Sequence, residues 1–310
     1  MSRCSTIGEP LSPATRLTDA ARLTALSLPL MAVLFILFPR VQGPLWGLPA
    51  DAYSALTGLS DTMTPGAIAR LSESNAIAFR ANFDGPPPPR AQRYWRGPVL
   101  TRFDGRTWRA ASLPARDTPS YSVAGRAFAY TLTLEPHDHP WLLALDFPAA
   151  TPGLRYGPDF QLLSREPVRN RLRQALVSYP DTPVGLDDPA ALLRLALSLP
   201  AGTNPRTVAA GARLRTEAAR PDELPARGIA LMRDARLTYT LDPPPLGEDD
   251  VDAFLFDTRQ GFCEHFAAAF VVLMRALDVP ARVVTGYQGA DPLPVDGFYV
   301  VRQSAAHAWA

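Results

Sequence analysis

The sequence predicts an α+β fold: one transmembrane helix, a mostly antiparallel β domain, and a C-terminal core in which a helix packs on an antiparallel sheet. Three observations carry this. A single uncharged apolar run lies near the N-terminus, short alternating segments broken by Gly, Pro and Asp fill the middle, and helical periodicity begins at Asp187 and yields to strands after Ala281.

At 310 residues the chain is long enough for two cores, and 47% hydrophobic residues exclude a wholly disordered chain. A net charge of +1 points to no nucleic acid and to no strongly charged substrate. All 31 basic residues are Arg, so the chain offers no lysine amine of its own to an acyl transfer. We read the arginine excess as coding bias.

The apolar run Leu23 to Phe38, extended back to Ala20, has 19 residues. As a helix it measures about 28 Å, against a hydrocarbon core of about 30 Å. Residues 20–41 are therefore expected to span a membrane, with 1–19 as a cytoplasmic tail. Arg3, Arg16 and Arg22 before the span and Arg40 after it favour that orientation and leave the bulk of the chain extracytoplasmic. A cleavable signal peptide competes, but the run is long and starts late, and PRVQGPLWG is a poor cleavage site. Cys4 and Cys263 would lie on opposite sides of the bilayer, so no disulfide is expected.

Residues 42–75, rich in Pro, Gly, Ser and Thr, read as a membrane-proximal linker, with Trp46 and Tyr53 near the interface. Residues 76–180 read as a β-rich domain with strands at Ile77–Phe83, Tyr94–Thr101, Phe103–Trp108, Phe128–Glu135, Leu142–Phe147 and Phe160–Leu163. The Pro86–Pro89 run should be extended and solvent-facing. His137 and His139 supply at most two imidazoles in one turn, which is too few for zinc.

Residues 186–310 form the core. Helices are expected at Pro189–Ser198, Arg206–Arg220 and Pro221–Arg233, then extended chain at Tyr239–Leu241. Glu248, Asp249 and Asp250 precede a short helix whose dipole they complement, and they lack the spacing of a calcium loop. A buried helix from Glu264 to Leu277 follows Cys263, then strands at Ala281–Tyr287, Gly297–Arg302 and from His307 onward.

Cys263 stands at that helix's N-terminus, where free N–H groups and the dipole favour thiolate and can hold an oxyanion. His265 projects to a different side of the helix. His307, 44 positions on and sharing a strand face with Trp309, is the better base. Gln260, Phe262, Glu264 and Trp309 flank the pair as candidates for supporting the site or its oxyanion. Spacing alone leaves a second reading open, in which Cys263 is a small buried hydrophobe and His307 a hydrogen-bonded surface group.

The words TRQGFCEHFAAAFVVLMRALDVPARVVTGYQG and VRQSAAHAWA resemble the transglutaminase-like (papain-like thiol) core, most closely that of bacterial membrane-bound TgpA-like proteins. LFPRVQGPLWGLP, YWRGPVL, FDGRTW and LTYTLDPPPLGEDDVDAFLFDT are similar to the same family. The resemblance implies a periplasmic core on the inner membrane, Cys263 as nucleophile, His307 as base, and no cofactor or metal. It implies acyl transfer on protein or peptide amides of the cell envelope through a thioester. A cysteine peptidase or amidase of the same fold, or a non-catalytic envelope scaffold, is the alternative. The third, carboxylate member of the family's triad falls on no residue here, and the chain reads as C-terminally truncated.

Overall fold

The computed structural model describes residues 17, 18, 21–29, 31 and 58–310, in two compact units divided after Pro49. In the first unit the described residues are helical, and Leu17, Leu23, Leu26, Leu28 and Met31 are exposed. Residues 20, 30 and 32–41 of the expected span lie outside the described residues, as do Cys4, Trp46 and Tyr53. Among the described residues no helix is long and apolar enough to cross a membrane.

The second unit is built on two antiparallel sheets. In the first, β1 (Thr62–Met63), β4 (Trp108–Ala110), β3 (Tyr94–Phe103), β12 (Val283–Gln288) and β14 (Ala306–Trp309) lie in that order, with β6 (Ala144–Leu145) also paired to β3. In the second, β13 (Tyr299–Arg302), β2 (Ile77–Phe83), β5 (Phe128–Leu134) and β9 (Leu172–Ser178) follow one another. A small hairpin joins β7 (Arg155–Tyr156) to β8 (Leu162–Leu163). Strands from 76–180 and from 186–310 thus share both sheets. The consecutive strands β12 and β13 enter different ones.

Alternation explains the strands: β5 buries Phe128, Tyr130, Leu132 and Leu134 and leaves the residues between them half-buried. Phe79, Trp95, Tyr130 and Tyr287 fill the centre. Phe79 meets Trp95 edge-on at 5.1 Å and Tyr287 at 5.6 Å, and the Trp95 indole donates to the Gly289 carbonyl at 2.8 Å. Gly286 lets β12 lie against β3, since a Cβ there would stand 2.1 Å from the Trp95 carbonyl oxygen.

Several expectations need correction. Phe103–Trp108 is no strand. Its first residue closes β3, and the Asp104 carboxylate accepts the Arg106 and Thr107 N–H groups to make a turn before β4. Gly58–Asn75, read as the end of a linker, carries β1 and α1 (Ala67–Ser72), and Leu59, Met63, Ile68 and Leu71 are buried. In the proline run Pro86 and Pro89 are exposed as expected, but Pro88 is buried and its carbonyl accepts Arg93 Nε at 2.8 Å.

The helical region holds α2 (Ala190–Leu197), α3 (Pro205–Glu217), α4 (Leu224–Asp234), α5 (Asp250–Asp252) and α6 (Cys263–Ala276). The acidic cluster works as helix caps. Asp252 accepts the Arg206 and Thr207 N–H groups at the start of α3, Asp249 accepts the Asn204 N–H, and Asn204 in return accepts the Val251 and Asp252 N–H groups of α5. After α5 the chain makes a π-helical turn over Ala253–Thr258 and reverses at Arg259, with φ +55°, into β11 (Gln260–Gly261). β11 pairs in parallel with β10 (Thr238–Tyr239).

At the far end of α6, buried Arg275 donates to the carbonyls of Ala281, Ser198 and Thr101 and lies 5.0 Å over Trp108. Burial lowers its pKa to about 10, which leaves it charged at neutral pH. Arg275→Met would take its donors from the buried Thr101 carbonyl and the part-buried Ala281 and Ser198 carbonyls, and a loss of roughly 3 kcal/mol in urea denaturation is expected.

Candidate active site

Helix α6 enters the core with its first turn unsupported by a preceding residue of the usual capping kind, because Phe262 at the N-cap has no acceptor in its side chain. The His265 ring solves half of this problem by accepting the Phe262 N–H on Nδ1 at 3.1 Å. That bond, with Phe254 5.8 Å away, occupies His265 in holding the helix start.

Cys263 is the first residue of the helix and is 2% exposed. The helix packs against β14, and the Ala308 N–H there is near enough to the sulfur to favour its ionised form. The thiol is therefore brought to the residue adjoining His307. His307 pairs across the sheet with Gly286, and its ring lies 6.5 Å from that of Trp309, nearly parallel to it. Trp309 in turn packs on Tyr94 at 5.0 Å. Further along the stripe of α6, Phe270 and Met274 join Val284 and Trp309 around a cavity of about 400 Å³.

Electrostatically the pair is neutral. Burial pushes the Cys263 thiol up to about 12, opposed by hydrogen bonds from Ala308, Tyr239 and Glu264, while the Glu264 carboxylate adds to the rise. Desolvation thus outweighs the N-terminal dipole, against the expectation that the helix end would favour thiolate. Burial alone moves the His307 imidazole below its ordinary range.

The flanking candidates divide. The Glu264 carboxylate accepts the Gly66 and Ile68 N–H groups, so it supplies no donor to an oxyanion. Gln260 is exposed, and its contribution lies in the backbone pairing of β11 with β10. Phe262 is buried beneath Tyr239, with ring centroids 5.2 Å apart.

Tyr239 was not singled out by spacing. Its hydroxyl stands near the Cys263 sulfur and favours the ionised thiol, its ring also packs on Phe266 at 5.8 Å, and it remains 53% exposed. Burial, first, and then the neighbouring thiol push its pKa up, so it stays a proton donor. Only the pairing of Tyr239 with Gly261 brings it over the sulfur, and nothing local in LTYT signals that pairing.

Residues 4–185 match the TgpA N-terminal domain and residues 210–310 the transglutaminase-like superfamily. The chain belongs to the TgpA family of transglutaminase-like proteins. It is 42% identical over 300 residues to a protein-glutamine gamma-glutamyltransferase of Pseudomonas aeruginosa strain PAO1, covering 96% of this chain and 44% of that relative. Over 70 residues, 21% of this chain and 10% of the relative, it is 40% identical to the uncharacterized protein YebA of Bacillus subtilis strain 168. The chain therefore spans less than half the length of either. Its structure is similar to the periplasmic domain of TgpA from Pseudomonas aeruginosa, with a TM-score of 0.76 and 40% identity over 81% of this chain and 88% of that one. The ethylmercury-bound form of that domain matches with the same TM-score at 41% identity, over 81% of this chain and 90% of that one.

A thiol this well buried should ionise late. Alkylation of Cys263 by iodoacetamide, followed by peptide mass spectrometry to separate it from Cys4, is expected to climb without a plateau from about pH 8 to about pH 10. Tyr239→Phe keeps the ring and removes the donor, so it should slow alkylation across that range; a plateau, or a faster Phe variant, contradicts the assignment.

Proposed function

We propose that this chain is a membrane-anchored thiol acyltransferase of the cell envelope that acts on glutamine side chains of proteins or peptides. The observation that carries the reading is the seating of buried Cys263, the first residue of α6, against β14, the strand that bears His307. Family membership and the activity printed for the Pseudomonas aeruginosa relative support it. The uncharged N-terminal run would anchor the chain in the inner membrane, and the likeness to a periplasmic domain supports an extracytoplasmic core.

In the first half-reaction the Cys263 S–H proton passes to the neutral imidazole of His307 as the sulfur attacks the amide carbon. A C–S bond forms, and the tetrahedral oxyanion meets N–H donors at the start of α6. The C–N bond then breaks, ammonia leaves with the proton from His307, and a thioester remains. A primary amine attacks next and gives its proton to His307. The C–S bond breaks, the sulfur regains the proton, and an isopeptide amide is released. The chain has no lysine, so this amine comes from another molecule. Water in its place yields glutamate.

Starting from a neutral pair suits this chemistry, because His307 must be unprotonated to accept the proton. The Tyr239 hydroxyl, near the sulfur, lowers the cost of charge on it and must yield space to the incoming amide.

Incorporation of a fluorescent primary amine into a glutamine-bearing protein is expected to vanish in Cys263→Ala and to fall by about 10²- to 10⁴-fold in His307→Ala. Incorporation that persists without Cys263 would sink the proposal. Release of ammonia without amine incorporation would assign the chain to hydrolysis.

A further inference from the structure

Glu264 follows the candidate nucleophile directly and is 2% exposed. One carboxylate oxygen accepts the Gly66 N–H and the other the Ile68 N–H, the latter at 2.8 Å. Gly66 has φ +88°, a conformation that favours glycine, as the residue before α1. The two amides lie in the segment that matches the TgpA N-terminal domain, and the carboxylate lies in the transglutaminase-like segment. The contact therefore ties together parts of the chain 196 and 198 residues apart.

We propose that Glu264 is a positioning residue for the nucleophile, a buried carboxylate clasp that pins the first turn of α6 to the start of α1 and sets the charge next to the Cys263 sulfur. The inference rests on Cys263 being the nucleophile. It gives the N-terminal region a part in the site without any contact between that region and substrate.

The groups around the clasp agree with this. Arg70 of α1 favours the ionised carboxylate, as do the two amides, while burial opposes them and brings Glu264 up to about 7. Its charge in turn disfavours ionisation of Cys263 on its own helix and of Tyr239 on β10. β14, packed against both α1 and α6, presents His307, on which burial alone acts. The carboxylate is thus half-neutralised near physiological pH, and the thiol ionises more readily when it is protonated.

The test reads the thiol itself, so a chain that transfers no acyl group still answers it. Rates of Cys263 alkylation are measured by mass spectrometry across pH for wild type, Glu264→Gln and Glu264→Asp. Gln removes the charge, so its rate should equal that of wild type below about pH 6 and exceed it by about threefold or more above pH 8, while Asp, which keeps the charge, tracks wild type. Wild type itself should show a bend near pH 7, where the rate rises less than tenfold per pH unit, and this needs no variant to fold. A Gln-to-wild-type ratio that is constant with pH would mean that the charge of the clasp does not reach the sulfur, and it overturns the proposal. So does a wild-type profile with no bend.

Discussion

The structure depends on burying helix α6 on every side. A helix of 14 residues with almost no contact to water must find partners for its end groups inside the protein, and each partner fixes a neighbour. At the N-terminal end His265 closes the first turn and Glu264 reaches the amides of α1. At the other end Arg275 supplies N–H donors to carbonyls from α2's exit, β3 and the approach to β12. A guanidinium bonded to carbonyls and not to a carboxylate carries its full charge into the core, and the Trp108 face beneath it offsets part of that cost. The place of Cys263 is a by-product of this arrangement: once both ends are held, the first residue has nowhere to be but against β14.

Burial has a chemical cost that the dipole of the helix does not recover. An N-terminal macrodipole stabilises an anion by about 0.3–2 kcal/mol, whereas moving a thiol from its ordinary value to about 12 represents roughly twice the upper figure. In the proposed reaction the proton would therefore move with the attack and not before it. In that setting the neutral imidazole of His307 and the phenol of Tyr239 matter more than a preformed thiolate.

Much of this was legible from residue order. The helix after Cys263 and the strands at 77–83 and 94–101 follow from periodicity, because each buries one face that the pattern marks. The nearness of Cys263 to β14 follows from a helix-then-sheet order within one stretch. What sequence hid was non-local. β9 escaped notice because Arg173 and Gln174 put a polar side chain on each face of LRQALVS and mask its alternation, and only its pairing with β5 makes it a strand. The role of Glu264 was misplaced because its partners, Gly66 and Ile68, stand nearly two hundred positions away in a stretch whose composition reads as linker. Tyr239 was missed for the same reason, since a two-residue parallel pairing carries no periodic signal.

The sharing of both sheets bears on how the molecule is made. β2 and β3 leave the ribosome well before the strands that flank them, β13 and β12, which are about two hundred residues later in the chain. Until those arrive, β2 and β3 each have an open edge, and Trp95 and Phe79 have no roof. Such edges invite pairing with other chains during synthesis, and closing loops this long is slow. A nascent molecule of this kind would depend on being shielded in transit, and its thiol would gather its neighbours only in the last stage of folding.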